Sequence, residues 1–105
     1  MNLKDINAID AQRLIDGGAV LVDVREPFEY AMENIPGALE LPLSQLARGR
    51  PANLPQDKAV VFHCASGART KNNGPALASL TGGEAYNLVG GIAGWKRAGF
   101  QTQRG

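Results

Sequence analysis

The chain has a single cysteine among 105 residues, Cys64, and a single histidine, His63. One cysteine excludes an internal disulfide, and with only one histidine beside it the ligands for a structural zinc site are lacking. No apolar run approaches the roughly 18 residues needed to span a bilayer. Behind Met1-Asn2-Leu3-Lys4-Asp5 there is no apolar stretch of the kind that forms a signal peptide. An excess of one charge is missing too. Eleven Lys and Arg stand against ten Asp and Glu, for a formal net charge of +1 with no block of like charge, which speaks against a nucleic-acid surface. The expectation is a cytoplasmic chain with no metal, no cofactor, no nucleic-acid partner and no membrane segment.

What is present is ordinary globular material. An apolar content of 44% and a charged content of 20% fit a folded chain, and the length fits one domain over residues 1–105. Val20-Leu21-Val22-Asp23-Val24 and Ala59-Val60-Val61-Phe62-His63-Cys64 read as buried strands, being compact, apolar and rich in β-branched residues. Ala38-Leu39-Glu40-Leu41 and Glu84-Ala85-Tyr86-Asn87-Leu88 are weaker candidates. Helices are predicted over 11–16 with Asp10 as cap and Gly17-Gly18 as stop, and over 28–32 with Pro27 in the first turn. Others are predicted over 45–47 with Ser44 as cap, over 69–80 before Gly82-Gly83, and over 92–98 after Gly90-Gly91. Strand and helix alternating in this way predict an α/β fold with a mostly parallel sheet. Residues 48–55 read as a surface loop. Pro75, in Asn72-Asn73-Gly74-Pro75, lacks the N–H that would reach the Lys71 carbonyl, so the helix over 69–80 is predicted to kink or split.

Chemistry concentrates in Cys64-Ala65-Ser66-Gly67-Ala68-Arg69. The segment follows a buried strand and precedes a helix, which places it at the carboxyl edge of an open sheet, where ligands bind. A loop of small residues can turn its N–H groups inward, Gly67 relaxes the backbone limits, and the following helix adds free N–H groups. A thiol at the centre of such an anion cradle loses its proton more easily, since cysteines in comparable settings fall from about 8.5 to about 3.5–7.5. Arg69 brings a permanent charge and a planar donor fork for oxyanions. Four residues separate Cys64 from Arg69. Cysteine phosphatases use one residue more, so this smaller ring suits a sulfur atom better than a phosphoryl group.

Three segments, in order and across nearly the whole chain, resemble the rhodanese family. Asp23-Val24-Arg25-Glu26-Pro27-Phe28-Glu29-Tyr30 with Ile35-Pro36-Gly37-Ala38 is similar to its first signature. Cys64 through Arg69 is similar to its six-residue active-site loop. Tyr86-Asn87-Leu88-Val89-Gly90-Gly91-Ile92-Ala93-Gly94-Trp95 is similar to its closing segment. The stretch from Leu41 through Asn72-Asn73 resembles rhodanese domains that precede a membrane anchor in bacterial sulfurtransferases, although residues 1–105 contain no such anchor. The resemblance implies a single rhodanese-like α/β domain with about five strands, mostly parallel, flanked by helices on both faces. It also implies a ping-pong reaction. Cys64 is the catalytic nucleophile and takes the outer sulfur of a small anionic donor such as thiosulfate. Ala65, Ser66, Gly67, Ala68 and Arg69 bind substrate, and the persulfide passes its sulfur to cyanide, an external thiol or a protein acceptor. The sequence departs from the family at Glu33-Asn34, where many members carry Gly-His, and in the neutral side chains of Ala65, Ser66 and Ala68.

For the remaining polar residues the expectations are structural. Arg25 is predicted to pair with Glu29, and Asp23 to hold nearby backbone N–H groups. His63 is predicted to point away from its neighbour Cys64 and not to act as its base. Trp95, Phe62 and Tyr86 read as core, and Ser66 as either a donor to bound sulfur or a small loop residue. Besides the sulfurtransferase, two functions fit the same thiol. One is a carrier handing sulfur between proteins and the other a redox-regulated thiol, the latter without a resolving cysteine.

Overall fold

The computed structural model describes residues 2–49 and 53–105. Its centre is the pair of strands legible from their apolar runs, here β2 (Val20–Asp23) and β4 (Val60–His63), hydrogen-bonded side by side in parallel. Around them lie β1 (Lys4–Ile6), β3 (Leu39–Glu40) and β5 (Ala85–Leu88), giving the order β1-β5-β4-β2-β3 with every strand pair parallel. The parallel α/β expectation holds. β1 was not foreseen. It is a three-residue edge strand with two exposed charged residues, and its place comes from pairing with β5.

The sheet is covered on both sides, as expected of parallel strands. Val22, Val24, Val60, Phe62 and Cys64 share one core layer with Leu77 and Ala78. Leu21, Val61 and Leu88 share the other with Ala8, Ala11, Ile92 and Trp95. The first layer is closed by α3 (Leu43–Ala47) and α5 (Gly74–Ala78), and the second by α1 (Ala8–Asp16) and α6 (Gly91–Arg97). Phe62 and Trp95 are core residues, while Tyr86 is only half buried. Among the described residues no helix is long and apolar enough to cross a membrane.

Several helix boundaries differ from expectation for identifiable reasons. α1 begins at Ala8 because Asn7, not Asp10, is its cap, with Asn7 Oδ1 accepting the Asp10 N–H at 2.8 Å. α2 (Pro27–Met32) starts on its proline as predicted. α3 begins at Leu43. Ser44 lies inside it, and its hydroxyl donates to Glu26 Oε1 at 2.5 Å instead of capping. The helix predicted over 69–80 is split into α4 (Ala68–Asn72) and α5, with Asn73 ending one and starting the other. Pro75 sits in the first turn of α5, where its missing N–H costs nothing. α6 starts one residue early, at Gly91. Of the loop read over 48–55, residues 50–52 lie outside the described residues. Leu54 is buried in the core and so is not a surface residue.

Candidate active site

The connection after β2 runs through α2 to one side of the sheet, and the connection after β4 runs through α4 and α5 to the other. Between neighbouring parallel strands whose connections diverge, a crevice opens at the carboxyl ends. Cys64 occupies this position. Its residue exposure is 0%, so the sulfur sits at the floor of the loop.

The loop curls as the small residues allow. Gly67 has a φ of 95°, a left-handed conformation that side chains resist. The turn directs the Gly67 N–H onto Cys64 Sγ at 3.1 Å. Thr70, one residue beyond the segment singled out by sequence, is fully buried with its hydroxyl 3.7 Å from the same sulfur. Burial by itself works against the thiolate. The backbone N–H and hydroxyl of Thr70, with the N–H groups of Ser66 and Gly67, outweigh it and hold the Cys64 thiol below its ordinary value. With the sulfur protonated, the same hydroxyl proton can instead be donated to Asn87 Oδ1, and the Asn87 amide donates to Asp5 Oδ1 at 3.1 Å. A polar chain thus leads from the sulfur across β5 to the edge strand β1. Thr70→Val should raise the Cys64 thiol and slow iodoacetamide alkylation at neutral pH several-fold, while Thr70→Ser should largely restore it. The check is the alkylation rate against pH.

The loop is held from behind by the first turn of α6. Cys64 O accepts the Ile92 N–H at 2.9 Å and Ala65 O accepts that of Ala93 at 3.2 Å. A Cβ on Gly91 would lie 2.3 Å from the Cys64 carbonyl oxygen, so only glycine lets α6 come this close.

Arg69 is not a free fork. Its Nη1 and Nη2 donate to Glu29 Oε1 and Oε2 at 2.7 and 2.8 Å, in the planar bidentate arrangement guanidinium favours. Glu29 is thereby the partner of Arg69 and not of Arg25. The hydrogen bond from Arg69, with that of the Glu26 N–H, overcomes burial and brings the Glu29 carboxyl down to about 2. The sign follows. A carboxyl lowered from 4.5 to about 2 stabilises the fold fully above pH 4.5 and loses that contribution as the pH falls toward 2. The stability gap between wild type and Glu29→Gln should close over that range in thermal melts.

Arg25 reaches back along β2 instead. Its Nε and Nη2 bind the Asp23 carboxylate, the closest contact being 2.7 Å, and Nη2 also donates to the Glu33 carbonyl. Asp23 accepts the Arg25 backbone N–H at 2.9 Å, the backbone role expected of it. His63 lies on the face of β4 opposite to Cys64. Its Nδ1 is 3.2 Å from the Cys64 carbonyl oxygen and Nε2 is 3.6 Å from Asp23 Oδ2. Burial lowers its pKa despite the Asp23 carboxylate, so the ring packs neutral and has no path to the sulfur. Ser66 and Ala68 are exposed at the rim.

The geometry has known counterparts. Residues 7–98 match the rhodanese-like domain family. The chain is 42% identical over 100 residues to a sulfurtransferase of Allochromatium vinosum, covering 90% of this chain and 92% of that one. It is 32% identical over 83 residues to the thiosulfate:glutathione sulfurtransferase of Saccharomyces cerevisiae, covering 65% and 60% of the two. Of an uncharacterised Synechocystis relative, 42% identical over 85 residues, the match covers 46%, against 79% of this chain. A rhodanese-related protein of Thermoplasma volcanium superposes with a TM-score of 0.82 at 32% identity, over 95% of this chain and 97% of that one. These relatives support sulfur transfer as the general chemistry, and the chain belongs to the rhodanese-like domain family.

Proposed function

We propose that the chain is a thiosulfate-type sulfurtransferase working in the cytoplasm. The observation that carries this reading is a buried Cys64 sulfur ringed by backbone N–H groups and the Thr70 hydroxyl, with its pKa lowered. The Cys64 thiolate attacks the outer sulfur of thiosulfate, the bond between the two donor sulfurs breaks, and sulfite leaves with the electron pair. The new persulfide anion lies in the same ring of donors, with the backbone of Ala65, Ser66, Gly67 and Ala68 as its walls. Cyanide or an external thiolate then takes the outer sulfur, and Cys64 returns to thiolate. Arg69 serves here by fixing the loop through Glu29. A thiol that must stay free of disulfide between cycles suits the cytoplasm. The name of the yeast relative, with thiosulfate as donor, supports the choice. The test is intact mass after incubation with thiosulfate. A gain of one sulfur, removed by cyanide, is expected, and no gain would overturn the donor.

A second reading has its own observation. Arg69 is the loop's only charge and is taken up by Glu29, while Ser66 and Ala68 at the rim are small and exposed. Such a mouth favours a persulfide presented by a protein over a free dianion. Loading from a persulfidated protein much faster than from thiosulfate would decide for this carrier reading.

A further inference from the structure

Between α2 and the C-terminal segment lies an open groove of about 650 Å³. Glu33-Asn34, where the sequence departs from the family, builds it. Asn34 exchanges two backbone hydrogen bonds with Gln103, both 2.8 Å, and its Oδ1 accepts the Gln103 side-chain amide at 3.0 Å. Glu33 accepts the Thr102 hydroxyl at 2.6 Å and pairs with Lys96 at 3.1 Å. These contacts pin residues 102–104 across the end of α2 and leave the groove between them.

Two cationic groups in its wall have unused capacity. Arg25 is 6% exposed, and its Nε and Nη2 are engaged by Asp23 and Glu33, yet Nη1 makes no hydrogen bond among the described residues. Arg104 is exposed and has no ion-pair partner among the described residues. The two carboxylates in the wall are already matched, Glu29 by Arg69 and Glu33 by Lys96. Glu29 joins the groove to the active site, because the side chain that lines it also grips the last residue of the Cys64 loop.

From this we infer that the groove is the acceptor subsite and takes a small thiol bearing a carboxylate, held by Arg25 Nη1 and Arg104. The inference rests on the sulfur-transfer reading for its chemistry. The acceptor thiolate attacks the outer sulfur of the Cys64 persulfide, a new S–S bond forms on the acceptor, and the old bond's electron pair returns to Cys64 Sγ. No oxidant or reductant is consumed.

The test compares two acceptors of matched length on chain preloaded with one sulfur, 3-mercaptopropionate and 3-mercapto-1-propanol, with cyanide as reference. A neighbouring negative charge raises a thiol's pKa and lowers its thiolate fraction, so intrinsic reactivity favours the neutral compound. The subsite predicts the reverse, about a tenfold advantage in kcat/KM for the carboxylate, as one charge-assisted contact gives. Arg104→Gln and Met32→Glu should each reduce that advantage, and Met32→Glu should leave sulfur loading of Cys64 from thiosulfate unchanged. Met32 lines the groove, is 71% exposed and lies outside the catalytic loop. In parallel, the unreactive thioether 3-(methylthio)propionate is titrated into resting protein while the Gln103 side-chain amide is followed by NMR. Saturable shifts support the subsite even if no persulfide ever forms, a result that would sink only the sulfur-transfer reading. Equal rates for the two thiols, or an advantage that survives both substitutions, would overturn the assignment. So would an absence of saturable shifts.

Discussion

Replacing Cys64 with serine is expected to bring sulfur transfer to background, a loss of at least about a thousandfold, as for other enzymes deprived of their nucleophile. The cradle remains in the variant, with the Gly67 N–H and Thr70 hydroxyl still in place, but it surrounds an oxygen. An alcohol is far less acidic than a thiol and a poor nucleophile toward sulfane sulfur, so neither the anion nor the first S–S bond forms. Serine nearly matches cysteine in size, and the site already supplies hydrogen-bonding partners, so the fold should survive. The measurements are sulfite release from thiosulfate and intact mass, on wild type and variant, beside a thermal melt showing that both are folded. Transfer retained by the serine chain would remove Cys64 from the mechanism.

The second large effect is on stability. Asp23 is 1% exposed and Arg25 6%, and they are joined at 2.7 Å. Breaking a buried pair strands the remaining charge, which costs about 3–5 kcal/mol, against a total of about 5–15 kcal/mol for a typical domain. Asp23→Asn should therefore shift urea unfolding to much lower midpoints with little change in slope. Substituting both partners by apolar residues of similar volume should cost less than the single change, since no charge is left unpaired. A loss below about 1 kcal/mol for Asp23→Asn would show the pair to be better solvated than its burial indicates.

How legible these features were follows from where each signal resides. The strands Val20–Asp23 and Val60–His63 could be read because parallel strands buried on both faces are continuous in apolar residues. Lys4–Ile6 could not, since at an edge the backbone of β5 supplies the order that side chains do not. Cys64 and its loop stood out through small residues and Gly67. Thr70 was missed though it touches the sulfur. A hydroxyl three residues after Gly67 was the available signal. The ion pairs failed for a different reason. Arg25 precedes α2 instead of lying on it, so helical spacing to Glu29 had no bearing, and Glu29 instead meets Arg69 forty residues away. Such contacts exist only once the sheet has placed the ends of β2 and β4 side by side. The role of Asn34 likewise appears only with Gln103 beside it.

The depth of the Cys64 sulfur has a consequence for an enzyme with no second cysteine to repair it. A disulfide needs two sulfurs at about 2.05 Å. Two copies that both hide Sγ at the floor of a loop cannot meet at that distance, so the resting thiol is sheathed against dimerisation and against bulky oxidants. Loading changes the reach. A persulfide carries its terminal atom about one S–S bond beyond Sγ, within closer reach of the proposed acceptor. The same loop thus conceals the tool and displays the cargo.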